Sequence, residues 1–231
     1  MPSAVPTTRT GPILLAAFVA FVLSVTASLP VAALLGFHRG TDRTPVDFFV
    51  TTVAQDITLL LVLPALLRRW ADGAPAVLEG HRRIDIRLGL GAGVGIWLLL
   101  TTAGFLQARI IGPHPQAVTL IEQAHPSALN LVFELVVASG LVPIAEELLF
   151  RAVLFAAFRQ RMGFWPAAII SSLLFGLAHG LTAIVPIAIS GICFAALYER
   201  RRSLGTNALA HGTVNLISTV IVYLTAASRV G

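Results

Sequence analysis

Residues 141–151 read Leu141-Val142-Pro143-Ile144-Ala145-Glu146-Glu147-Leu148-Leu149-Phe150-Arg151. Two adjacent acids and an arginine stand here inside the predominantly apolar run 128–158. If that run is membrane, each charge costs at least about 2.5 kcal/mol on the most lenient insertion scale. A chain keeps such charges in hydrocarbon only with a partner or a purpose, so the stretch marks a functional site as well as a span.

The surrounding sequence supports the membrane reading. Of 231 residues, 56% are hydrophobic and 12% charged, against roughly 25% charged in soluble domains. Apolar runs recur at 12–35, 46–67, 86–108, 128–158, 164–179, 182–198 and 204–227. Most reach the length of about 20 residues that spans a bilayer as a helix; 164–179 and 182–198 fall short. Barrel strands would be shorter and would alternate in polarity. The expected fold is therefore all-α, a polytopic membrane helical bundle of about 7–8 transmembrane helices. Arg9 followed by an apolar run has the start of a signal peptide, but the run is long for one and no cleavage site follows, so it is read as the first span.

The net charge of +5 is concentrated in loops: Arg68-Arg69, His81-Arg82-Arg83 with Arg87, and Arg200-Arg201-Arg202. Nucleic-acid binding would need a basic face on a soluble module, and none exists, so no nucleic-acid partner is expected. Basic loops beside apolar spans instead set topology. They place 68–87, 159–163, 199–203 and the N-terminus in the cytoplasm, with Arg39, Arg43 and Arg109 on the far side. The single cysteine, Cys193, excludes an internal disulfide and reads as a small buried hydrophobe.

Breakers at Gly112-Pro113-His114-Pro115 and His125-Pro126 divide the chain into N-terminal transmembrane helices, 1–125, and a polar-motif part, 126–231. Gly89, Gly91, Gly93 and Gly95 read as a close helix-packing seam; no strand precedes them, which argues against a phosphate loop. Pro143 either kinks its helix or begins a new one. The carbonyls it frees need a protein or water environment, which points to a wet cavity near the glutamates.

Glu147 and Arg151 are four residues apart in the favourable order, so the expected pairing is with each other. Glu146 points about 100° away around the helix and must find its partner elsewhere. His179 ends the fifth run after Phe175, and His211 and Asn215 share one face of the last. A carboxylate and an imidazole can hold and deprotonate a water, while a second imidazole and an amide can donate to a developing oxyanion. Alone, each is as well read as interhelical hydrogen bonding. His38, His81, His114 and His125 read as solvated loop side chains.

The ordered set Glu146-Glu147-x-x-x-Arg151, Phe175-x-x-x-His179 and His211-x-x-x-Asn215 resembles the CPBP family of CAAX proteases and bacteriocin-processing (Abi-type) proteins, and is similar to its Rce1-type prenyl-protein endopeptidases. The resemblance covers the last 90 residues or so and implies a catalytic core over 126–231. It implies that Glu146 and His179 activate a water, that His211 and Asn215 form the oxyanion site, and that Glu147, Arg151 and Phe175 support them. A zinc ion is the alternative, with Glu146, His179 and His211 as ligands. That reading leaves Glu147 as the remaining base, already held by Arg151, so no cofactor is favoured.

Helix geometry strains against this assembly. With residue 128 at the far face, Glu146 lies about 27 Å along a straight helix, towards the cytoplasm, whereas His179 should lie far across. Closure is expected through a break at Pro143 or through short spans that do not fully cross. The resulting expectation is an integral membrane protein of a bacterial plasma membrane, an endopeptidase meeting peptide or protein substrates in the lipid bilayer. Prenylated C-terminal peptides, bacteriocin precursors and membrane-anchored regulators are the substrate classes implied by resemblance. A non-enzymatic scaffold and a proton-coupled transporter are the alternatives, the latter disfavoured by the absence of paired halves.

Overall fold

A computed structural model describes residues 10–34, 45–71, 83–111 and 127–230. Arg9, His38, Arg39, Arg43, His81, Arg82, His114, His125 and the boundary placed between 125 and 126 lie outside the described residues. Helices occupy all of the apolar runs: α1 (Thr10–Leu34), α2 (Pro45–Trp70), α3 (Ile86–Ile111), α4 (Ala128–Arg159), α5 (Phe164–Ala178), α6 (Ile184–Arg201) and α7 (Leu204–Val230). The described residues contain no strand. Helices α1, α2, α3, α4 and α7 are long and apolar enough to cross a membrane. Helix α5, with 15 residues, is the short one; it extends about 22 Å, less than the roughly 30 Å of a hydrocarbon core.

Local chemistry sets the ends of these helices. Ser127 caps α4, its hydroxyl accepting from the Asn130 N–H at 3.2 Å, which satisfies a donor left over by the first turn. Asp85 does the same for α3 through the Leu88 N–H at 3.0 Å. Gly180, with φ of 96°, ends α5 in a conformation that side chains resist.

One end of the bundle gathers the basic residues. Arg161 donates to Thr10 at the start of α1, Arg159 and Arg202 both pair with Glu199, and Arg201 pairs with Asp85. The Asp85 N–H in turn donates to Thr206 at the start of α7. Exposed pairs of this kind contribute about 1 kcal/mol or less each; their value here is to register the helix ends against one another. Large apolar side chains such as Phe18, Leu61, Leu98, Trp165 and Leu224 point outward, as a lipid-facing surface requires.

Helices α1 and α2, α4 and α7, α5 and α6, and α3 and α7 form the most extensive pairings. The glycine seam is half of what the alternating pattern suggested. A side chain at Gly93 would collide with the backbone oxygen of Ala210 and with Thr213, whereas Gly91 and Gly95 meet nothing. Residues two apart point to different sides of a helix, so only Gly89 and Gly93 can line the α7 contact.

Helix α4 differs from the expected break. It continues through Pro143 without interruption, with π-helical turns over Val137–Leu141 and Leu148–Phe155 on either side of an α-helical turn, Val142–Glu147. The wider turns move the backbone bonds to partners five residues back, as in Val142 N–H to Val137 O, so the proline's missing donor is absorbed rather than broken around. The depth conflict also disappears once distances are counted from the turn joining α4 to α5. Glu146 lies 13 residues above Arg159 and His179 lies 15 above Phe164. At 1.5 Å per residue both are about 20 Å deep. The expectation failed because α4, at 32 residues, is longer than a bilayer, so its first residue is no marker of the far face.

Candidate active site

The two glutamates sit on successive positions of one helical turn and have opposite surroundings. Glu147 is fully buried, with every oxygen engaged. Its Oε2 lies 3.2 Å from the Arg151 Nε and accepts from the Asn207 Nδ2 at 3.1 Å; its Oε1 meets the His211 Nδ1 at 3.1 Å. Arg151 is equally buried. Its pairing with Glu147 is one of charge rather than of aligned hydrogen bonds, since no guanidinium N–H has an acceptor in good geometry. The guanidinium instead lies 4.5 Å over the Phe175 ring and 5.5 Å from that of Phe194. Desolvated cation–π contacts of this kind contribute about 2 kcal/mol.

Phe175 organises more than the arginine. Its ring meets those of His179 and His211 edge-on at 4.8 and 5.8 Å, and its carbonyl oxygen is 2.8 Å from the His179 Nδ1. The four-residue spacing of Phe175 and His179 on α5 makes that last contact possible, because the ring of residue i+4 folds back over the preceding turn.

A carbonyl offers no proton, so the His179 Nδ1 carries the hydrogen and donates, and its Nε2 presents a lone pair. That Nε2 lies 3.4 Å from Glu146 Oε1. His211 repeats the pattern: Nδ1 donates to Glu147, and Nε2 lies 3.6 Å from Glu146 Oε2. Glu146 thus faces two imidazole Nε2 atoms, and its Oε2, though buried, has no hydrogen-bond partner. A water molecule donating to that oxygen would satisfy it and supply a hydrolytic nucleophile.

Asn215, read from the sequence as a donor towards a substrate oxygen, spends one N–H on the Ala138 carbonyl at 2.7 Å. That carbonyl lies in the π-helical turn before Pro143. The neighbouring Ser139 carbonyl faces Gly212, where any side chain would collide with it. The His211-Gly212 pair thus seats α7 directly on the backbone loosened by the proline. The structure brings Glu146, Glu147, Arg151, Phe175, His179 and His211 into one cluster; Asn215 stands a turn further along, tied to α4 through its backbone.

The three residues of the zinc alternative lie together, the His179 and His211 Nε2 atoms facing the two oxygens of Glu146 at 3.4 and 3.6 Å, although among the described residues no group of three or more His, Cys, Asp or Glu side chains has the geometry of a bound ion.

Two contributors, and one buried acid near them in the bundle, escaped the sequence reading. Asn207 bridges Glu147 and the Phe194 carbonyl, at 3.1 and 2.8 Å. It stands four residues before His211, so the polar stripe His211-x-x-x-Asn215 extends one turn back, a signal visible in the sequence. Phe194 stacks on the His211 ring at 4.8 Å and looks like any apolar position of α6. Asp56, 4% exposed on α2, is a further acid inside an apolar run.

Residues 128–217 match the family described as Rce1-like, type II CAAX prenyl endopeptidase. A 125-residue stretch is 31% identical to the Bacillus subtilis (strain 168) protein named "Putative membrane peptidase YdiL", covering 52% of this chain and 49% of that one. The chain thus aligns with about half the length of that relative. No solved structure matches the chain. Apolar spans and family match together make it an integral membrane protein, in which residues 128–217, with the glutamate, histidine and asparagine motifs they contain, are similar to the Rce1-like endopeptidases.

Proposed function

We propose that this protein is an intramembrane endopeptidase in which Glu146 activates a water for attack on a peptide carbonyl. The observation that carries the reading is the convergence of two imidazole Nε2 atoms on Glu146, each ring held from behind at Nδ1. In this mechanism the water gives a hydrogen bond to Glu146, and its oxygen attacks the scissile carbonyl as Glu146 takes the proton. His179, beside Glu146, can take up the proton and pass it to the leaving amine. His211 donates to the developing oxyanion when its Nε2 is protonated, the Glu147 carboxylate behind it stabilising the resulting imidazolium. Asn215 has a second N–H beyond the one given to Ala138, and it is the other candidate donor.

The short α5 ends at His179, so the site lies within the membrane's depth and a substrate segment must reach it there. The basic end of the bundle is read as cytoplasmic. Prenylated C-terminal peptides are the substrate class suggested by the family's description, with bacteriocin precursors and membrane-anchored regulators as further classes. The test is cleavage of a membrane-peptide library by purified protein, with Glu146→Gln and His179→Ala controls and a chelator arm. Cleavage lost in both variants and kept with chelator supports the mechanism; cleavage kept in Glu146→Gln refutes it, and cleavage lost with chelator returns the site to a metal.

A further inference from the structure

Outside the matched region, α2 packs against the Val142–Glu147 turn of α4 and brings one acid with it. Asp56 is 4% exposed, and its Oδ2 is buried without a hydrogen-bond partner. No cation pairs with it among the described residues. A buried carboxyl in that condition is expensive and needs a reason. Glu146 lies on the turn of α4 that α2 packs against, and the two carboxyls oppose each other electrostatically. The other charged or titratable groups acting on Glu146 are His211, Glu147 and Arg151, with His179 at 3.4 Å; Arg151 is paired in charge with Glu147, and neither forms an ion pair with Asp56.

A cavity of about 140 Å³ lies between the same two helices, lined by Phe49 and Thr52 on α2 and by Phe133, Val137, Ala138 and Val142 on α4. Thr52 and Asp56 are one turn apart on α2, as are Val142 and Glu146 on α4. The cavity therefore lies one turn from both acids, which do not themselves line it.

We propose that Asp56 is a positioning residue of the site: its free oxygen accepts a hydrogen bond from the water that Glu146 activates, so the water is held between two carboxyls on facing helices. One hydrogen of the water goes to Glu146 and the other to Asp56, which fixes the direction of the oxygen lone pair that attacks. The role rests on the reading of Glu146 as the water-activating group, and it recruits to the site a helix that lies outside the family match.

A thermal double-mutant cycle on purified protein tests the pairing without activity. Asp56→Asn and Glu146→Gln should each raise Tm, and the double variant should gain less than the sum, because both remove the same unfavourable contact. Asp56→Leu, which keeps the branched shape without the charge, serves as the folding control. On a quenched fluorescent peptide that the wild type cleaves, Asp56→Asn should lower kcat roughly 10- to 100-fold, the scale of a misplaced reactant, with KM nearly unchanged. A merely structural acid would leave kcat alone. Additive Tm shifts with wild-type kcat overturn the proposal. If the wild type cleaves nothing while the Tm cycle still couples, the protease reading fails and the Asp56–Glu146 pairing stands.

Discussion

Glu146 and Glu147 are chain neighbours in the same turn, yet one faces a closed polar cluster and the other an unfinished one. Around Glu147 the donors and the charge are complete: Arg151, Asn207 and the His211 Nδ1 surround it at 3.1–3.2 Å, and nothing is exposed. Around Glu146 there are only two imidazole nitrogens, at 3.4 and 3.6 Å, and the side chain is 18% exposed. The difference teaches how a membrane bundle can carry ionised groups for two purposes at once. The saturated side stabilises the fold and anchors one histidine, and the unsaturated side is left for a ligand. His211 belongs to both, with one ring nitrogen on each.

The comparison breaks most visibly on the saturated side. Arg151→Met leaves Glu147 buried without its cation, and removing one partner of a buried pair costs about 3–5 kcal/mol. The expected result in a detergent thermal-unfolding assay is loss of folded protein, with substantial recovery in Arg151→Met/Glu147→Gln, where no charge is stranded. A smaller effect follows at Asn207. Asn207→Ala removes a donor shared by Glu147 and the Phe194 carbonyl, and it should cost about 1–3 kcal/mol while lowering activity less than any change at Glu146. Smallest is the helix seam. Gly93→Ala places a methyl group against the Ala210 carbonyl and should destabilise by about 1–3 kcal/mol. Gly91→Ala, facing open space, should be neutral or stabilise by up to about 1 kcal/mol. Equal Tm shifts for the two glycines would show that α3 and α7 do not meet as described.

The sequence carried much of this, unevenly. Apolar run length gave every helix, because satisfying the backbone in lipid leaves few alternatives. Four-residue spacing gave the Glu147–Arg151 pair and the shared face of His211 and Asn215, since both are properties of a single helix. What spacing cannot give is which helices meet, so Asn207 and Asp56 were passed over although each had a visible mark. Phe194 had none, because a ring that stacks on a histidine is written in the sequence like any other core residue. Helix α4 also ran straight through its proline. The π-turns that allow this depend on α7 packing against the freed carbonyls, a tertiary effect invisible in the local sequence.

The division of labour between the two acids rests on a single paired measurement: Glu146→Gln and Glu147→Gln, each assayed for peptide cleavage and for Tm. Glu146→Gln should lose cleavage by about 100-fold or more with Tm held or raised, and Glu147→Gln should lower Tm by stranding Arg151. Cleavage surviving in Glu146→Gln, or a Tm in Glu147→Gln equal to that of the wild type, would contradict the assignment of chemistry to one glutamate and stability to the other.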